Sequence, residues 1–293
     1  MNTNTMSFKT RQFLMFAGVT TVVFGMVVIV PFIYGLYLTF TSWDGVSTTK
    51  PFVGIANYVA TFADSAFWAA LGRTLIYSVI AVILVNVVAF ILAFLVTSGV
   101  KGQNFFRAGF FTPNLIGGIV LGYIWKFVFN RALVALGESF SVGALSTSWL
   151  ATTSGAMLCL IIVSVWQYAG YMMLIYVAGF MSVSNDVIEA AKIDGCTNMQ
   201  TITHISVPLM VSSFVQCLFL TITRCFMVYD VNLSLTNGDP FNSSVMAAMH
   251  VYNQAFTYKN FGTGQAEALI LFVVCAIVGV AQVMVGKKME VAA

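Results

Sequence analysis

The feature that most limits what this chain can become is a set of runs without a single Asp, Glu, Lys or Arg. They cover residues 13–40, 74–100, 108–125, 139–185, 205–223 and 268–286. A helix needs about 20 residues to cross the hydrocarbon core of a bilayer. With no water there to satisfy peptide groups, only helices and closed barrels can span it. The runs are continuous and do not alternate as barrel strands do, so helices are expected. Composition agrees: 59% hydrophobic and 8% charged residues stand against roughly 45–50% and about 25% in a soluble domain. The chain reads as an all-α membrane protein with six spans, at about 13–40, 74–98, 107–129, 154–181, 206–229 and 266–286. The fourth run is too long for one helix. Ser, Thr and Gly fill its front, which is assigned to an outer loop. Residues 13–286 then form a single transmembrane domain between a short N-terminus, 1–12, and a tail, 287–293.

The first run is about twice the usual signal-peptide core, and Ile33-Tyr34-Gly35-Leu36-Tyr37 offers no small-x-small cleavage site, so it is expected to be retained. Orientation follows the Lys and Arg near span ends. Lys9, Arg11, Lys101, Arg107, Lys192, Lys287 and Lys288 fall on one side, and Lys50, Arg73, Arg131 and Lys259 on the other. That bias puts both termini in the cytoplasm. It also accounts for the net charge of +3, and no basic tract or recognition motif points to nucleic acid. The cysteines, Cys159, Cys196, Cys217, Cys225 and Cys275, are odd in number, and four of them lie within expected spans, which disfavours a disulfide framework. No Cys or His spacing suggests a metal.

Against this oily background, residues 187–210, VIEAAKIDGCTNMQTITHISVPLM, form a polar island. Asp186 is a candidate helix cap with Glu189 three residues later. Gly195 suits a left-handed helix stop, and Thr197 with Gln200 spells a T-x-x-Q capping box. The island therefore reads as helix, glycine turn, helix, with Pro208 near the start of the fifth span. Val187, Ala190, Ala191 and Asp194 lie on or near one stripe, where the two alanines leave a low surface that another protein could approach. A solvated connector is the plainer reading of the same residues.

Glu189-Ala190-Ala191, Asp194-Gly195, Ile205 and Pro208 resemble the E-A-A-x-x-D-G-x(9)-I-x-x-P signature of the membrane subunits of bacterial ABC importers. The version is that of sugar permeases of the maltose-transporter type. FVGIANY (52–58), FFRAGFFTP (105–113) and TNGDP (236–240) resemble further segments of that family, the last matching the larger maltose permease subunit. Departures are Cys196 for Ala, Asp239 for the second Gly of the outer loop, and Ser184 and Ser212 where Pro is common. The resemblance implies a type I ABC importer permease fold in a bacterial cell membrane, with the island as a cytoplasmic coupling loop docked on an ATPase. It gives Glu189 a polar contact there and Gly195 the turn. It also implies a second permease subunit, two ATPase subunits and an extracytoplasmic solute-binding protein. No cofactor is expected in this chain, since G-x-x-x-x-G-K-[ST] is absent and ATP would be held by the partner ATPases.

Charge inside a span is costly and marks a candidate functional site. Arg224 is such a charge if the fifth stretch runs on to Leu235, and Thr221, Arg224, Cys225 and Val228 share one helix face by spacing. Gln167, Tyr168 and Tyr171 form a polar and aromatic face on the fourth span. By count from the E-A-A motif these positions resemble those that line the sugar path of maltose-type permeases. Amide, hydroxyl and guanidinium donors beside aromatic rings suit a sugar, although Tyr and Trp near span ends can also be interfacial anchors and Arg224 can equally pair with Asp230 or snorkel outward. The expected function is carbohydrate import by alternating access, with no chemistry of the chain's own. The rival is a self-sufficient secondary transporter or channel.

Overall fold

The computed structural model describes residues 10–292. In chain order its principal helices are α1 (Thr10–Leu38), α2 (Ala56–Ala63), α3 (Ser65–Thr97), α4 (Gln103–Phe111), α5 (Gly118–Ser139) and α6 (Thr153–Ser182), followed by α7 (Asn185–Ile193), α8 (Asn198–Leu209), α9 (Val211–Phe226), α10 (Asp230–Leu235), α11 (Ala247–Tyr252) and α12 (Phe261–Ala292). Among the described residues there is no strand beyond an isolated bridge between Thr41 and Phe52. Among the described residues five helices, α1, α3, α5, α6 and α12, are long and apolar enough to cross a bilayer. A sixth crossing arises if α8 and α9, which meet at 70°, count as one.

α3 buries a stripe of small and polar residues and turns many of its branched apolar ones outward. On α3, Ala70, Thr74, Ser78, Ala81, Ala89 and Ala93 are buried, whereas Ile76, Ile80, Ile83, Val87 and Ile91 are exposed. In water this would be unstable. In lipid, which is as apolar as Ile, association depends on close backbone approach and interhelical hydrogen bonds, and small residues supply both.

The chain divides into two compact units, one of residues 1–65 and 251–270, the other of 66–250 and 271–293. In the first, the loop after α1 is tied down by residues of the FVGIANY segment. Asn57 Nδ2 donates to the carbonyls of Thr39 and Thr41 at 2.7 and 2.8 Å, and the Tyr58 hydroxyl bonds Thr39 Oγ1 at 2.9 Å. Phe52 stacks on Phe40. The start of α12 closes the clasp: Thr263 donates to Asn57 Oδ1, and a Cβ on Gly262 would lie 1.9 Å from the Thr41 carbonyl.

In the second unit, the helix expected over 107–129 is instead split. α4 stops at Phe111, a 3-10 turn runs over Thr112–Leu115, and Ile116 and Gly117 are extended before α5 begins at Gly118. Pro113 lacks an amide donor and favours such a boundary. α5 then continues past Arg131 to Ser139 through a π-helical stretch, Val128–Ala132. The fifth expected span, 206–229, is broken twice. Pro208 follows the π-helical Thr201–Ser206, whose wider turn accommodates a residue without N–H, and the axis bends at Met210. The second break, at residues 227–229, separates α9 from α10. α10 is held against α5 by Gly118 and Gly122, where an added Cβ would lie 2.7 Å from Asp230 Cβ and 1.9 Å from Ser234 Oγ.

Candidate functional site

Two places in the second unit carry the features singled out in the sequence. The first is the island. Its helix α7 is capped by Ser184, whose hydroxyl accepts from the Asp186 amide at 3.3 Å, so the cap lies two residues before the expected Asp186. The stop is as expected: Gly195 has φ +81°, with its amide bonded to the Lys192 carbonyl and the Cys196 amide to the Ala191 carbonyl. This pair of bonds is the Schellman closure, and it satisfies carbonyls that the helix end leaves open. Thr197 and Gln200 form a full capping box at the start of α8. Ala191 is buried and fixes α7 against the protein, while Glu189, Ala190, Lys192, Asp194 and Gly195 are exposed. Ile193 is 86% exposed and Met199 is 68% exposed, so an apolar pair flanks the turn beside the charged residues. Pro208 lies near the bend at Met210, which joins the island to α9.

The second place is the break between α9 and α10. Arg224, in the last turn of α9, is half-buried. Its guanidinium lies over the rings of Tyr168 and Tyr171, 5.2 and 4.8 Å from their centroids, and donates from Nη1 to Asn114 Oδ1 at 2.7 Å. Cation–π contacts of this kind contribute about 0.5–2 kcal/mol. The guanidinium therefore joins three elements: α9, α6 and the turn after α4. Beside it a partly open pocket of about 180 Å³ is lined by Gly118, Gln167, Tyr168 and residues 227–231. Gln167 is buried. Its Nε2 donates to the Ile116 carbonyl at 3.3 Å, while its Oε1 has no hydrogen-bond partner in the protein. An unsatisfied buried acceptor costs about 1–3 kcal/mol.

Of the residues expected to share a face on the fifth span, Arg224 and Val228 reach this region. Thr221 and Cys225 pack behind it. Cys225 belongs to the core with Tyr77 and Leu121, and Thr221 accepts from Asn86, whose Oδ1 in turn accepts from Tyr176. Sequence reasoning missed Asn114, although it directly follows Pro113, the last residue of the FFRAGFFTP segment. It also ran one helix through 227–229, where neither Gly nor Pro announces a stop. The rings and amide of α6 were found because Gln167, Tyr168 and Tyr171 recur at helical spacing.

The description of binding-protein-dependent transport system inner membrane components matches residues 86–291. The chain belongs to that family. This binding-protein-dependent permease is 39% identical over 266 residues, 91% of its own length and 90% of the other, to the probable starch degradation products transport system permease protein AmyD of Thermoanaerobacterium thermosulfurigenes. It is 34% identical to the multiple sugar-binding transport system permease protein MsmF of Streptococcus mutans, over 89% of its length and 90% of that protein's. A chain in the crystal structure of a bacterial ABC transporter for the acidic polysaccharide alginate superposes with a TM-score of 0.83 at 17% identity, covering 97% of this permease and 99% of that chain. The fold is thus the type I ABC importer permease fold, all-α and multi-pass in the inner membrane. A family of transport permeases performs no covalent chemistry, and the chain is not an enzyme.

Proposed function

We propose that this permease carries a carbohydrate inward by alternating access, using the pocket at the α9–α10 break as its substrate station. The observation that carries the reading is a pocket lined by Gln167 and Tyr168, with Tyr171 and the Arg224 guanidinium, which lies over both rings, beside it. The sugar-related names of two relatives point the same way. Val228 supplies an apolar wall, and Thr221 and Cys225 hold α9 in place from behind. A broken helix suits such a station, because backbone that leaves the helical pattern within a membrane belongs beside a polar cavity.

Energy enters through the island. Glu189, Ala190, Asp194 and Gly195 form the lever face that two cytoplasmic ATPase subunits, shared with a second permease in a heterodimer, would grip. Ala191 is the anchor, and Pro208 and the bend at Met210 pass the motion to α9. ATP is bound by those partners, and an extracytoplasmic binding protein delivers the sugar. Both termini then lie in the cytoplasm.

Arg224→Leu removes the cation and the Asn114 bond. It should reduce uptake into reconstituted vesicles by tenfold or more, while companion subunits still co-purify. Arg224→Lys keeps the charge without the planar fork and should fall between. Normal uptake by the leucine variant would sink this assignment of the site.

A further inference from the structure

We propose that the pocket at the α9–α10 break selects neutral, hydroxyl-donating substrates and rejects anionic ones, with Asp230 as the residue that sets this preference. The inference rests on the reading of that pocket as the substrate station.

The charged side chain in the pocket lining is Asp230, whereas the nearby cation, Arg224, is not part of that lining. Gln167 is 7% exposed, and its Oε1 has no partner in the protein. Asp230 lines the same pocket, is exposed, and gives only its backbone carbonyl to a neighbour, Ser234. Its carboxylate is brought there by α5. Gly118 lacks the Cβ that would lie 2.7 Å from Asp230 Cβ, so the two helices approach closely enough to set the acid at the pocket wall. Arg224, the cation of this region, has its face over two tyrosine rings and one nitrogen bound to Asn114.

A sugar hydroxyl entering here donates to the exposed Asp230 carboxylate and forms a charge-assisted bond with it. A phosphate or carboxylate has no proton to give. It would sit against the like charge of Asp230, the charged side chain in the pocket lining, with Arg224 outside that lining. Discrimination of this kind, built from a repulsive element beside an attractive one, separates ligands of similar size.

The test uses the permease co-purified with its companion subunits in detergent and without binding protein, so that the pocket alone discriminates. Equilibrium dialysis at millimolar concentration compares maltose with its oxidised, carboxylate-bearing analogue maltobionate. The unaltered protein should prefer maltose. Asp230→Asn should weaken maltose binding several-fold, strengthen maltobionate binding, and move the ratio by roughly tenfold, the scale of one like-charge contact at a partly exposed site. Asp230→Glu should retain the original ratio.

A second measurement is independent of the sugar chosen and decides the matter if neither disaccharide binds. Met227→Cys, placed at the pocket in a cysteine-free background, should favour a cationic over an anionic methanethiosulfonate by more than a small free thiol in solution does. Adding Asp230→Asn should reduce the ratio toward the free-thiol value. A ratio no larger than the free-thiol one before the charge is removed, or one unmoved by Asp230→Asn, overturns the proposal. If Gln167→Leu and Arg224→Leu both bind maltose as the unaltered protein does, the station itself is misplaced. If they lose it while the Asp230→Asn ratio stays put, the selectivity alone is wrong.

Discussion

At the scale of single residues, Gly195 shows how a conformational requirement differs from a packing one. A Cβ added there meets nothing within 4 Å, yet φ is +81°. Any cost of substitution is therefore carried by the backbone. Gly195→Val should lose at least ~1 kcal/mol and reshape the turn, whereas Gly195→Asn, which tolerates the left-handed region, should lose less. Substrate-stimulated ATP hydrolysis in the assembled transporter is expected to fall sharply for valine and modestly for asparagine, with membrane insertion unchanged in both. Equal activity of the two variants would argue against a lever at this turn. Such features were legible in the sequence because caps and stops are local: Gly195 and the Thr197–Gln200 box stand where their chemistry suggested. Ser184 was overlooked for Asp186 because both are good capping residues, and only the backbone path decides between them. Asn114 was illegible for a different reason. Its value comes from a guanidinium 110 residues away, and nothing local reports that.

At the scale of elements, the apolar runs located most helices, because crossing lipid demands length and continuity whatever the tertiary structure. They could not locate the breaks. Residues 211–235 contain neither Gly nor Pro, and the interruption at 227–229 is held by what surrounds it, α5 above all, whose Gly118 and Gly122 admit α10 at van der Waals distance. The G-x-x-x-G pattern was visible in the sequence, but its partner was not. This gives an element-level expectation. Gly122→Ala would place a methyl 1.9 Å from Ser234 Oγ, an overpacking of about 1–3 kcal/mol. The melting temperature of the purified permease should drop, and Ser234→Ala in the same chain should recover part of the loss. Gly72, where an added Cβ meets nothing within 4 Å, provides the control: Gly72→Ala should leave the melt unchanged or raise it slightly.

At the scale of the whole molecule, the sidedness proposed from the Lys and Arg distribution is open to a direct check. In a cysteine-free background, single cysteines at positions 192 and 239 should react oppositely with an impermeant reagent applied to intact cells, 239 labelling and 192 silent until the membrane is opened. The reverse pattern would invert every assignment of cytoplasmic and outer loops. Long apolar helices were legible in the sequence because they answer to the bilayer, a solvent common to all membrane proteins. The clasp was not, since FVGIANY announces a motif without saying what it holds. That clasp also bears on how the molecule is made. Among the described residues none in the most apolar stretch of α1 is buried, and what secures its far end is Asn57, completed by Thr263, 206 residues further along the chain. At ribosomal speeds of roughly 5–20 residues per second, the first helix waits in the membrane for about ten to forty seconds before the last one arrives to fasten it. During that interval the growing chain is a candidate client for membrane-embedded chaperones.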